Sequence, residues 1–373
     1  MNDFPMDSTS GARFSLEDSI IFIPRDRRLR KLYLELSSRC NLFCPMCFRL
    51  FRKDGEGDLD WNVYENLLQS VGDFPHLETF HFAGLGEPLV HPRFLDAVRC
   101  AKARGLRVSL TTNGTLVTRE MARELVALGV DAVDISFEAE QALLPGRETL
   151  AAAHLETFRM LQEEKKRAGR LLPELRAAFV LTRSNVDHAA DIPATLSSVG
   201  VTVLSMSNLV PLTKELTQLV LYPLSLEEEA RLQRKIFVAC QRAGVTALLP
   251  RFALSSEKHC NFVRSESAVI RSDGAVVPCY RLAHTYPEWV LGREKSVVAA
   301  SFGSLKERSL PAIWDDERYV SFRWRLRRAL YASCLDCHLL PVCEYPKTTE
   351  SDCWGDSPAC SDCLWDRNLV RCP

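Results

Sequence analysis

The chain has 373 residues, 46% hydrophobic and 25% charged, ordinary globular composition that allows one large domain and a smaller one. A formal net charge of -1 lacks the cationic excess that grips a phosphate backbone, so no nucleic-acid partner is expected. The N-terminus lacks the cationic start and apolar core of a secretory signal, and no uninterrupted apolar run reaches the ~18 residues of a membrane span, so a cytoplasmic protein with no membrane attachment is expected.

Residues 1–31 read as an N-terminal extension. From 32 to 209, short β-branched or aromatic runs alternate with amphipathic stretches. Strands are predicted at 32–37, 77–83, 106–111, 131–137, 175–182 and 201–207, and helices at 61–72, 92–104, 118–128, 147–169 and 187–199, some opened by Asp60, Thr118 and Asp187. Six strand-then-helix units predict an α/β fold, a partial (β/α)6 TIM-like barrel with right-handed crossovers and its chemistry on the loops after the strands. Residues 210–257 read as a helical connector with a helix near 225–243, and 258–373 as a smaller Cys-rich α+β domain. The cationic runs Arg25 to Lys31 and Arg323 to Arg328 read as solvated faces.

Fourteen cysteines in a chain with no export signal point to metal rather than disulfides. Three lie at 40–47, Cys100 and Cys240 stand alone as buried thiols, and nine crowd into 260–372. The first group, Cys40-Asn41-Leu42-Phe43-Cys44-Pro45-Met46-Cys47, follows the first predicted strand with C-x3-C-x2-C spacing. Three such thiolates can hold three corners of a 4Fe-4S cubane and leave one iron open. Zinc is the competing reading, but it wants four ligands, and no fourth Cys or His stands at finger spacing.

This segment resembles the defining motif of the radical S-adenosylmethionine (SAM) superfamily. The resemblance implies that Cys40, Cys44 and Cys47 hold a cluster whose open iron chelates SAM. The reduced cluster then cleaves SAM to a 5'-deoxyadenosyl radical that abstracts hydrogen from substrate. It also implies an electron donor such as ferredoxin or flavodoxin. Met46 takes the place whose backbone touches adenine. Gly84-Leu85-Gly86-Glu87-Pro88 is similar to the family's GGEP segment, so Gly86, Glu87 and Pro88 are implied at the methionine amino group. Thr111-Thr112-Asn113-Gly114 looks like the T-N-G turn, with Asn113 at the cofactor. Ser136 takes the ribose position, and Asn185 falls in a turn that resembles another cofactor-side position. Glu138 shares a strand face with Ser136. His81 reads as a satisfied core histidine, and His91 as a residue that shapes its loop.

The C-terminal cysteines resemble the SPASM domain of radical SAM maturases, which implies two auxiliary 4Fe-4S clusters. Cys260 is followed by thirteen residues, Gly274, four residues and Cys279, and later by Cys334-x2-Cys337-x5-Cys343. Gly274 suits the tip of a hairpin between 269–271 and 275–277. The family's next cysteine would fall at Lys347; instead Cys353, Cys360, Cys363 and Cys372 follow. One division gives Cys260, Cys279 and Cys353 to the first cluster and Cys334, Cys337, Cys343 and Cys363 to the second, with Cys360 and Cys372 able to replace members of either. A pair of zinc ribbons is the competing reading, which Cys260 and Cys279 fit poorly.

SPASM enzymes mostly modify proteins or peptides, which makes such a molecule the implied substrate. About thirty residues precede the first strand, too few for a peptide-binding winged helix, so a leader-guided peptide would need a separate recognition protein. Tyr280 follows Cys279 where sulfatase-maturing members carry an acidic base, which disfavours that activity. Asp352 to Trp365, Arg371-Cys372-Pro373 and Phe302 to Trp314 look like the maturases associated with tungsten-containing aldehyde oxidoreductases. Their substrate would be the tungsten cofactor or the oxidoreductase polypeptide. Tyr280 and Glu138 are the candidate acid-base residues, set against plain packing for Tyr280 and cofactor or arginine binding for Glu138. A non-catalytic iron-sulfur electron-transfer protein is the reading from a different class.

Overall fold

The computed structural model describes residues 11–16, 19–24, 27–137 and 148–371. Strands β1 (Gly11–Leu16) and β2 (Ser19–Pro24) pair as an antiparallel hairpin. The main sheet begins with β3 (Lys31–Leu34), β4 (Thr79–Phe82), β5 (Arg107–Thr112), β6 (Ala132–Ser136), β7 (Glu174–Leu181) and β8 (Val203–Asn208). These six pair in chain order and in parallel, as the alternating pattern predicts for a partial barrel.

The crossovers carry α1 (Trp61–Gln69), α2 (Phe94–Ala103), α3 (Arg119–Ala127), α4 (Glu148–Arg167) and α5 (Ile192–Ser198). Asp60 and Thr118 cap α1 and α3 by accepting the N–H groups of Asn62 and Met121. Asp187 opens no long helix. It lies in a single 3-10 turn, Val186–His188, and α5 starts later, with Pro193 in its first turn, where the missing N–H costs nothing. Helix α6 (Leu226–Ala243) has a full capping box from Ser225 and Glu228 and ends at Gly244 with φ 69°.

The sheet runs past the six expected strands at both ends. β9 (Thr246–Leu248) pairs in parallel with β8, and β10 (Ser267–Ile270), from the Cys-rich segment, pairs in parallel with β3. β11 (Ala275–Val277) returns antiparallel to β10 through Gly274 (φ 88°), and β14 (Gly303–Ser304) pairs with β11. Beside it stands a separate hairpin of β12 (Tyr286–Val290) and β13 (Arg293–Val297). The C-terminal segment is thus hydrogen-bonded into the barrel sheet.

Alternation in the strands sorts the two faces. Leu32, Phe80, Val108, Leu110, Val133 and Ile135 are fully buried, in one apolar cluster with Ala97 and Val98 of α2 and Leu125 of α3. The opposite face carries His81, Ser109, Thr111, Asp134, Ser136 and Arg176, and it lines the barrel interior. Cys240 is buried and Cys100 half-buried, both packed with the core. The run Arg323 to Arg328 is largely committed within the fold: Arg323 stacks on Trp314 and Tyr319, Arg325 pairs with Asp356, and Arg327 pairs with Glu266. Among the described residues no helix is long and apolar enough to cross a membrane.

Glu35, one residue past β3, joins these parts. Its buried carboxylate accepts Leu85 N–H at 2.8 Å, Ser272 N–H at 3.3 Å and Ser272 Oγ–H at 3.0 Å, and meets His284 Nε2 at 3.2 Å. His284 also meets Asp54 at 2.5 Å. Burial alone would raise the Glu35 carboxyl, but His284 and the two N–H groups hold it below its ordinary value. Glu35→Ala is expected to lower unfolding free energy by on the order of 3–5 kcal/mol in urea titration at pH 7, because it strips the partner from a buried network. A carboxyl depressed in the folded state stabilises fully above its unfolded value. The advantage of wild type over Glu35→Gln should therefore be complete at neutral pH and shrink as pH falls below 4.5.

Candidate active site

The chain leaves β3 into a loop that is clamped before the first cysteine. Ser38 N–H donates to Gly57 O at 2.9 Å and Gly57 N–H to Ser38 Oγ at 3.0 Å, while Arg39 forks onto Asp58 at 3.0 and 2.5 Å. The Gly84–Pro88 loop lies against this backbone. Glu87 N–H donates to Arg39 O at 2.8 Å, and a Cβ on Gly86 would strike Ser37 O and stand 2.6 Å from Arg39 O. Only glycine fits there.

The buried Glu87 side chain does not face an open cavity. Its carboxylate accepts Thr112 Oγ1–H and Asn113 N–H, both at 2.7 Å, which ties this loop to the turn after β5. Burial pushes the Glu87 carboxyl up, opposed by these bonds. Asn113 in turn reaches the cysteine loop: its Nδ2 donates to Asn41 Oδ1 at 2.9 Å and to Cys40 Sγ at 3.6 Å. Cys40 Sγ also accepts Leu42 N–H at 3.4 Å. Cys40, Cys44, Met46 and Cys47 are half-buried on this loop.

Each C-x2-C pair closes on its own turn. The N–H of Cys47 donates to Cys44 O at 3.0 Å, that of Cys337 to Cys334 O at 3.2 Å, and that of Cys363 to Cys360 O at 3.2 Å. Cys260, Cys279, Cys360 and Cys363 line one cavity. Burial, reinforced by Cys279, pushes the Cys260 thiol well up, and burial takes Cys363 up to about 11, opposed by Arg281. Cys334 lies within electrostatic reach of Cys353, and its N–H donates to Ser361 O at 2.8 Å. The division is therefore not the one drawn from spacing. Cys363, with Cys360, lines the cavity of Cys260 and Cys279, whereas Cys353 lies within electrostatic reach of Cys334.

Residues 34–167 match the radical SAM superfamily, and residues 260–338 match the SPASM iron-sulfur cluster-binding domain. The chain is 42% identical over 349 residues, 92% of its length and 97% of the relative's, to a tungsten-containing aldehyde ferredoxin oxidoreductase cofactor-modifying protein of Pyrococcus furiosus. The chain belongs to the radical SAM superfamily. It is also 24% identical, over 87% of its own length and 86% of the relative's, to Fe-coproporphyrin III synthase of Methanosarcina barkeri. Its fold is that of Streptococcus suis SuiB, with TM-score 0.60, 16% identity and coverage of 85% of this chain and 73% of that one.

As a radical SAM enzyme the protein works with SAM and 4Fe-4S clusters, and the residues fit them. Cys40 receives two N–H donors, which suits a thiolate ligand. A mononuclear ion needs ligands converging at ~2.3 Å, whereas a cubane gives each thiolate its own iron around a cavity. Four cysteines line one cavity.

Ser136 is half-buried at the end of β6, on the barrel-interior face. Asn185 is fully committed to its own turn, with Oδ1 accepting Thr182 N–H and Nδ2 donating to Val180 O, each at 2.9 Å. Tyr280 stands 5.1 Å from Tyr33 and 5.7 Å from Phe262, edge to face, in a small aromatic cluster. Glu138 and Cys372 lie outside the described residues. His81 is satisfied by Ser109 at 2.7 Å and Thr111 at 3.0 Å, and burial holds its imidazole well below the ordinary value. His91 bonds Leu59 O and Arg93 N–H and so shapes its loop.

Asp134 is the interior residue that motif reading passes over. It pairs in register with Thr111 and Arg176, and burial lifts its carboxyl to about 6 against the pull of Arg176. The available signal was its spacing: Asp134 and Ser136 are two apart on a strand whose other residues are apolar. For the cofactor side, Gly86→Ala is expected to displace the loop from Arg39 and cut reductive SAM cleavage by on the order of a hundredfold, measured as 5'-deoxyadenosine released under dithionite.

Proposed function

We propose that the protein is the radical SAM maturase of a tungsten-containing aldehyde oxidoreductase and acts on that enzyme's cofactor. The observation that carries this reading is the 42% identity that extends over 92% of this chain and 97% of the relative whose name states that role. Likeness confined to the SAM half would not carry it, because that half is common to many chemistries.

In this reading Cys40, Cys44 and Cys47 ligate the cluster that binds SAM. When bound, that cluster and SAM supply a 5'-deoxyadenosyl radical that abstracts hydrogen from the substrate. Gly86 and Pro88 offer close backbone to the methionine end, and Glu87 braces this loop by holding Thr112 and Asn113. Asn113 braces Cys40, and Met46 would lie by the adenine and Ser136, at the end of β6, by the ribose. Cys260, Cys279, Cys360 and Cys363 hold one auxiliary cluster, and Cys334, Cys337, Cys343 and Cys353 the other. An electron donor such as ferredoxin or flavodoxin reduces the protein, and Tyr280 acts as packing rather than as a base.

Anaerobically purified protein should carry about three 4Fe-4S clusters. Replacing Cys40, Cys44 and Cys47 together by Ala should abolish 5'-deoxyadenosine formation and leave two clusters by iron analysis. Retained SAM cleavage would place the active cluster elsewhere. The substrate is tested by producing the tungsten oxidoreductase with and without this protein and weighing the extracted pterin cofactor by mass spectrometry. A mass difference is expected; identical cofactors would overturn the assignment.

A further inference from the structure

Arg281, two residues beyond Cys279, is among the largest fully buried side chains of the protein. It lines the same cavity as Cys260, Cys279, Cys360 and Cys363. Its fork is held from two sides: Nε and Nη2 donate to Glu288 Oε2 at 3.1 and 2.8 Å, and Nη2 also donates to Asp362 Oδ1 at 3.2 Å. Asp362 lies between Cys360 and Cys363 and is itself held by Lys295 Nζ at 2.6 and 2.7 Å. The guanidinium is planar, so these bonds fix where its remaining edge points. That edge is Nη1, which is buried and, among the described residues, has no hydrogen-bond partner.

A buried donor left unmade costs roughly 1–3 kcal/mol, more when charged, so its survival here calls for an acceptor. The acceptor class the cavity calls for is sulfur, because Arg281 is within electrostatic reach of both Cys360 and Cys363. We propose that Arg281 Nη1 donates to a sulfur of the 4Fe-4S cluster held by Cys260, Cys279, Cys360 and Cys363, and thereby raises that cluster's reduction potential. The inference rests on that ligand set. Its direction follows from charge: one-electron reduction adds a negative charge to the cluster, and a buried cation with an N–H aimed at sulfur favours the more negative state. Glu288 and Asp362 cancel part of the charge but leave the donor in place. Arg281 is thus a tuning and positioning residue that makes this cluster easier to reduce.

The test uses the full chain with Cys40, Cys44 and Cys47 replaced by Ala, so that only the auxiliary clusters report, in an anaerobic redox titration followed by electron paramagnetic resonance. Adding Arg281→Gln with Glu288→Gln removes both buried charges together and avoids a stranded carboxylate. The expected result is one auxiliary midpoint lowered and the other unchanged. At a fixed potential the ratio of reduced to oxidised cluster should fall about tenfold, which is about 59 mV for a one-electron couple. Two unchanged midpoints with full iron content would overturn the proposal. Should the paired variant fail to assemble, protein carrying isotopically labelled arginine decides the matter: hyperfine coupling of arginine nitrogen to a reduced auxiliary cluster is expected, and its absence overturns the inference. The ligand set is tested separately by Cys360→Ala with Cys363→Ala, which should lose one auxiliary signal. If both signals persist, the ligand assignment is wrong whatever Arg281 does.

Discussion

The carboxylate of Glu35 holds the architecture of the site together. It sits at the end of the first barrel strand, five residues before Cys40, and binds at once the Gly84–Pro88 loop through Leu85 and the C-terminal hairpin through Ser272. Gly84, at φ 156°, accepts this neighbour because a Cβ there would come within 2.5 Å of the Glu35 side chain. A buried carboxylate is tolerable only when each lone pair has work, and here His284 and three donors supply it. The Gly84–Pro88 loop and the C-terminal hairpin are therefore positioned by one shared anion.

A second constraint is the chemistry of buried thiols. Of the four cysteines that line one cavity, Cys260, Cys360 and Cys363 resist ionisation because burial pushes their thiols up. Iron removes that penalty by taking the place of the protons, which couples cluster assembly to the folding of this segment. The ion network of Arg281, Glu288, Asp362 and Lys295 extends from this cavity toward Cys334. Charged groups this deep are rare unless paired, and their pairing here follows the path between the two cysteine sets.

The barrel interior shows the reverse of ordinary patterning. Helices cover the apolar face, and the inner face carries polar groups within the fold, among them His81, Asp134 and Arg176. Asp134 carries a raised pKa because burial outweighs Arg176, the type of perturbation that gathers at functional sites.

The sequence by itself determined the local units. Hydrophobic alternation placed six strands within a few residues of their observed bounds, and C-x2-C spacing specified turns closed by a backbone hydrogen bond between the paired cysteines, because both depend only on near neighbours along the chain. Motif order likewise located Cys40, Gly86 and Asn113, which meet across strands adjacent in the sheet. What tertiary structure decided were the long-range pairings: β10 beside β3, Asp134 facing Arg176, and Cys360 with Cys363 beside Cys260 and Cys279 rather than Cys334. Spacing cannot encode these, since the closure entropy of a long loop varies only slowly with its length, and what selects one closure over another is the packing and charge pairing at its two ends.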